Sequence, residues 1–191
     1  MRQPRCRRSF ASPRIIAHHA AIGTCQTSEA HWNAPLRSIE PHLDNADDAE
    51  DETTLVELGL LLQAAILVEH RDAVRALSAR LASVAHLATG DWVYTCPARH
   101  LGDAALLVGD RAAARAYYAQ ALDTAGKISF RPEVAATRVS LAEVLLHEAD
   151  VAARSEALEH INIAIPELRG MKMQPALERA LALKARLEAS S

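Results

Sequence analysis

The sequence predicts an all-α protein: an α-α superhelix, or solenoid, of about three antiparallel helix pairs followed by a C-terminal capping helix. Three observations lead there. An apolar face recurs with offsets 0, 4, 7, 8 and 11, at Ala73, Leu77, Arg80, Leu81 and Val84, then at Ala114, Tyr118, Ala121, Leu122 and Ala125, then at Ala157, Ile161, Ala164, Ile165 and Leu168. Those offsets lie on one side of an α-helix. Turn and cap residues separate the apolar segments, and the only strand-like stretch is the short Trp92-Val93-Tyr94.

The chain divides by charge. Residues 1–43 carry six Arg against Glu29 and Glu40, residues 44–52 (DNADDAEDE) carry six carboxylates and no base, and residues 53–191 are close to balanced. Half of the eight prolines fall in residues 1–43, where no apolar period is sustained. A stretch like that cannot bury enough surface to offset its chain entropy, so residues 1–52 are expected to be a loose basic-then-acidic tail and linker, and residues 53–191 the folded domain. Arg2, Arg5, Arg7, Arg8 and Arg14 also match the composition of an organelle transit peptide or of a basic arm for phosphate. Arg7-Arg8-Ser9-Phe10 is similar to a twin-arginine export signal, but Arg14, His18 and His19 interrupt the apolar region that should follow. The acidic run lacks the central Gly and the spaced Glu of a calcium-binding EF-hand loop.

The elements follow in order. Thr54-Leu55-Val56-Glu57 is a capping box opening the first helix. The first helices of the pairs supply Leu60-Leu61-x-x-Ala64, Leu101-Gly102-x-x-Ala105 and Leu141-Ala142-x-x-Leu145, set to pack on the repeated faces above. A small residue lets two helices cross closely, and a large one four residues on fills the space beside it. Arg80 is the one polar member, expected to lay its aliphatic stem along the seam. Gly109-Asp110 reads as a turn with an N-cap between helices 97–108 and 111–126; Pro132 opens a helix over about 132–147; Gly170 ends the third pair; Pro175 opens the last helix, with Leu177, Leu181 and Leu187 on one side. Tyr118 is expected to face Leu101 and Ala105, with Ala114 at the close contact and Tyr117 turned away.

The arrangement Leu101-Gly102-x-x-Ala105, then Ala114, Tyr118 and Ala121, resembles the tetratricopeptide repeat (TPR). The spacing departs from that family: Ala73 to Ala114 is 41 residues and Ala114 to Ala157 is 43, and the Pro that usually closes the second helix is missing. Longer repeats of this kind resemble those at the C-terminal end of bacterial adenylate/guanylate cyclases and of LuxR-type or MalT-like ATPase regulators, through GDRAAARAYYAQALDTAGKISFRPEVAATRVSLAEVLL and MKMQPALERALALKARL. The resemblance covers about residues 53–188. It implies repeat-packing roles for Leu101, Gly102, Ala105, Ala114, Tyr118, Ala121, Leu141, Ala142, Leu145, Ala157, Ile161 and Ala164. It also implies a concave groove lined by Cys96, Arg99, Asp103, Val139, Glu143 and His147.

No catalytic pattern competes with this reading. Gly126-Lys127 lacks the upstream Gly of a phosphate-binding loop, no Gly-x-Ser-x-Gly occurs, and His70, His147 and His160 have no second His at metal-ligand spacing. No metal, cofactor or catalytic residue is expected. The three cysteines, Cys6, Cys25 and Cys96, are odd in number and far apart, as in a reducing, cytoplasmic setting. The apolar stretch Leu58 to Val68 is about half a membrane span and contains Gln63, so no membrane partner is expected. The near-neutral charge of residues 53–191 speaks against nucleic acid. The expected function is a protein or peptide interaction scaffold; the alternative is the C-terminal regulatory part of a multidomain bacterial signalling protein. Leu55, Leu58 and Leu62 take the groove positions of the first pair, an apolar face that asks for a cover and offers a route to homo-oligomers.

Overall fold

The computed structural model describes residues 54–88, 96–148 and 150–189; the expectations for residues 1–52 and for Trp92-Val93-Tyr94 lie outside them. Among the described residues are seven helices and no strand: α1 (Leu55–Leu67), α2 (Arg71–Ala82), α3 (Pro97–Val108), α4 (Arg111–Lys127), α5 (Arg131–Leu146), α6 (Val151–Gly170) and α7 (Gln174–Ala189). Their starts have local causes. The Glu57 amide donates to Thr54 Oγ1 and the Thr54 amide to Glu57 Oε2, which closes the capping box. Asp110 and Asp150 cap α4 and α6 through their carboxylates, and His70 Nδ1 accepts from the Ala73 amide at 3.1 Å to start α2. Helices α3 and α5 have no side-chain cap, but Pro97 and Pro132 stand in their first turns, where a missing N–H costs nothing.

Each helix packs against the next in the chain. The odd-numbered helices also touch one another, α1 with α3, α3 with α5 and α5 with α7, whereas the even-numbered helices do not pack together to a comparable extent. This is a helical array compatible with a repeat domain. The repeated faces are its core: Ala73, Leu77, Leu81, Ala114, Tyr118, Ala121, Ala125, Ala157, Ile161, Ala164 and Leu168 are fully enclosed, Ile165 is buried, and Arg80, Val84 and Leu122 are partly so. The first-helix motifs at Leu101, Gly102, Ala105, Leu141, Ala142 and Leu145 are also buried. In the middle pair the Tyr118 ring lies against Gly102: a Cβ placed there would stand 2.4 Å from Cε1. The seam is thus tightly closed at Gly102, and Ala114 is fully enclosed in it.

Four of the turns share one geometry. Glu69, Gly109, Ser129 and Lys172 have φ of 54°, 93°, 56° and 57°, and the amide of the next residue donates five residues back, to Ala65, Ala105, Ala125 and Leu168. These are Schellman closures, which satisfy helix-end carbonyls through a left-handed residue. Only one of the four residues is a glycine. Gly170, expected to stop the third pair, is the last residue of α6, and the left-handed reversal follows at Lys172.

Three expectations are corrected. Leu181 is exposed, because α7 turns Leu177, Ala180, Leu183 and Leu187 inward. Tyr117 is partly buried and packs against both apolar clusters of the core. Leu58 and Leu62 are buried in a cluster with residues of α2 and α3, so α1 does not present the open apolar face that suggested self-association.

Candidate interaction face

The odd-numbered helices bring a strip of charged side chains together. From α3, Arg99 donates through Nε to Glu133 of α5 at 2.7 Å and through Nη1 to Asp103 at 3.2 Å. Asp103 also accepts from the Tyr118 hydroxyl of α4 at 2.6 Å. Glu133 accepts from the Cys96 amide at 3.3 Å, which holds the start of α3 against α5. Further along, Arg179 of α7 grips Glu143 of α5, with Nε at 2.6 Å and Nη2 on the other oxygen. Bidentate Arg–carboxylate pairing of this kind fixes geometry as well as charge.

The electrostatics follow from the pairing. Burial pushes the Tyr118 hydroxyl far above its ordinary range, and the charge and hydrogen bond of Asp103 push it further; this phenol stays protonated and donates. Arg179 is held more firmly protonated, first by its hydrogen bond to Glu143. Burial works against the Arg99 cation, but Glu133 and then Asp103 outweigh it, so that Arg99 is raised as well. Burial, then Glu133, raises the Cys96 thiol, leaving it a poor nucleophile.

The six expected groove residues separate into two kinds. Arg99 and Asp103 sit on the strip with side chains 21% and 26% exposed, and Glu143 joins it at 24%. His147 is exposed at the end of α5. Cys96 and Val139 are each only 1% exposed and line no open surface. Cys96 is enclosed because it starts α3, with its Sγ directed at the Leu87 carbonyl and its amide on Glu133. Val139 is enclosed because α5 is packed upon by α3, α4, α6 and α7 together. Glu133, Arg179 and the Tyr118 hydroxyl are members that the sequence reading missed. The signal available for them is opposite charge about one repeat apart: Arg99 and Glu133 are separated by 34 residues, Glu143 and Arg179 by 36.

All twelve residues assigned to repeat packing are buried and support this face from behind; of them Tyr118 alone reaches it, through its hydroxyl. Among the described residues no group of three or more His, Cys, Asp or Glu is placed to hold a metal ion. No described helix is long and apolar enough to cross a membrane. Compared with models of known protein families and with curated proteins, the chain matches none.

Proposed function

We propose that residues 53–191 form a TPR-like solenoid that acts as a non-catalytic, cytoplasmic protein-protein interaction scaffold, with the odd-numbered helices on its concave side. An array whose odd helices pack on one another more than its even helices do would curve with the odd helices inside, and stacked helix pairs use that inner surface for partners. The observation that carries the reading is the strip of Arg99, Asp103, Glu143 and Arg179: charged side chains, partly exposed and held in set orientations by their own bonds. Preorganised polar groups of both signs favour a peptide or protein segment of complementary charge, because little further ordering is needed on binding. Cys96 and Val139 have no part in it.

The test is selection from a displayed peptide library against residues 44–191, followed by counter-selection with Asp103→Arg and Glu143→Arg. Urea melts first confirm that both variants remain folded. The expected result is a set of peptides that bind the wild type and lose at least tenfold in affinity to the reversed variants. Binders indifferent to both reversals, or no binders beyond those of an unrelated helical protein, would overturn the reading.

A further inference from the structure

A second polar cluster lies away from this strip, where α4, α5 and α6 meet. Arg138 of α5 places Nη1 2.9 Å from Nδ1 of His160 on α6. Around them stand Arg115 of α4, which reaches Glu148 at 3.1 Å and Glu156 at 2.7 Å, and Glu156 itself, 3.8 Å from Nε2 of the same imidazole. A guanidinium can only donate. The 2.9 Å contact therefore requires a lone pair on Nδ1, which makes His160 neutral, with its proton on Nε2 facing Glu156.

We propose that the Arg138–His160 bond is an acid-sensitive latch between α5 and α6, which opens when His160 takes up a proton at Nδ1. That proton occupies the lone pair on which Arg138 is held and sets an imidazolium against a guanidinium. The imidazole side chain is only 15% exposed, so water cannot take over its solvation without movement of the helices. The Arg138 guanidinium is already one bond short, since its Nε is buried without a hydrogen-bond partner. The charges facing the ring are Arg138 from α5, Arg115 from α4, and Glu156 and Glu159 from α6 itself. On the α7 side of α6, Lys184 is held by Asn162 and Glu188. Burial and then Arg138 hold the imidazole below its ordinary range; the two glutamates oppose them and do not prevail.

The direction of the pH effect follows. As pH falls through about 6.5 the unfolded chain binds a proton at this position that the folded chain refuses, so stability falls with acidification until the folded imidazole also titrates. Each unit between the two midpoints multiplies the unfolding constant by about ten.

Nitrogen NMR of the wild-type imidazole tests the latch directly. The expected result is an Nε2–H tautomer for His160 at pH 7.5, a titration midpoint below 6.5, and an upward shift of that midpoint in Arg138→Met. In urea melts at pH 7.5 and 5.0, His160→Asn, which keeps an acceptor at the Nδ1 position and cannot titrate, should lose less stability with acid than the wild type. An Nδ1–H tautomer, a midpoint at or above 6.5, a midpoint unmoved by Arg138→Met, or equal acid sensitivity of His160→Asn and wild type would each overturn the proposal.

Discussion

In the middle pair, α3 and α4 meet over Gly102 and Tyr118; at the equivalent positions of the last pair, α5 and α6 carry Ala142 and Ile161. The register is the same and both seams are closed, yet the two pairs are not interchangeable. Tyrosine fills the larger space that glycine leaves, and it brings a hydroxyl that isoleucine lacks. That hydroxyl reaches Asp103 and connects the packed seam to the charged strip on the inner side. One repeat position therefore works as packing alone in the last pair, and as packing plus the orientation of a surface carboxylate in the middle pair.

The largest expected effect comes from removing the ring. Tyr118→Ala should cost about 3–5 kcal/mol in urea melts, as for other large-to-small aromatic core changes. Ile161→Val at the equivalent place should cost only about 0.5–1.5 kcal/mol. Tyr117→Ala should fall below Tyr118→Ala but remain measurable, because Tyr117 is partly buried against both core clusters. Equal losses from Tyr117→Ala and Tyr118→Ala would undo the register on which the comparison stands.

A smaller effect isolates the close approach. Gly102→Ala sets a methyl group 2.4 Å from the Tyr118 ring, so the ring or the helix has to shift. Overpacking of this kind costs about 1–3 kcal/mol, offset in part by about 1 kcal/mol of better helix propensity. In a Tyr118→Leu background the clash is relieved, and Gly102→Ala should become neutral or stabilising. A loss of the same size in both backgrounds would show that the ring is not the obstacle.

The hydroxyl is tested by Tyr118→Phe, expected to cost about 1–2 kcal/mol, since a charged acceptor loses its donor. Asp103 should then be held by Arg99 alone. The Phe variant should keep the helical content of the wild type and bind selected peptides less tightly. Unchanged stability and unchanged binding together would sever the link between seam and strip.

Legibility in the sequence follows the same division. The seams could be read because their pattern is local: Ala114, Tyr118 and Ala121 repeat within one helix, where the 3.6-residue period decides which side is buried. The turn at Gly109 and the capping box at Thr54 were legible for the same reason. The strip was legible only in part. Arg99 and Asp103 are neighbours on one helix, but Glu133 and Arg179 arrive from other helices, and their meeting depends on how those helices are rotated. Val139 was misplaced by register because a sequence repeat cannot show that α7 packs on α5 as well as on α6. The end of α6 at Gly170 was legible, but the left-handed closure after it was not, because glycine is the common residue there and here the backbone bonds hold Lys172 in that conformation.

That last difference gives the smallest and cleanest test. Gly109 closes the turn within the middle pair at φ 93°, and a Cβ there meets nothing within 4 Å. Gly109→Ala therefore probes backbone conformation alone and should destabilise by about 1–2 kcal/mol. Gly170 is equally open but helical, so Gly170→Ala should stabilise by about 0.5 kcal/mol. Lys172→Gly, which removes the left-handed strain after the last pair, should also stabilise, by up to about 1 kcal/mol. The three changes separate a glycine the turn requires, a glycine the helix does without, and a lysine standing where a glycine would be easier. Urea midpoints at constant slope would show the opposite signs of Gly109→Ala and Gly170→Ala; destabilisation by both would return the reversal of the last pair to Gly170.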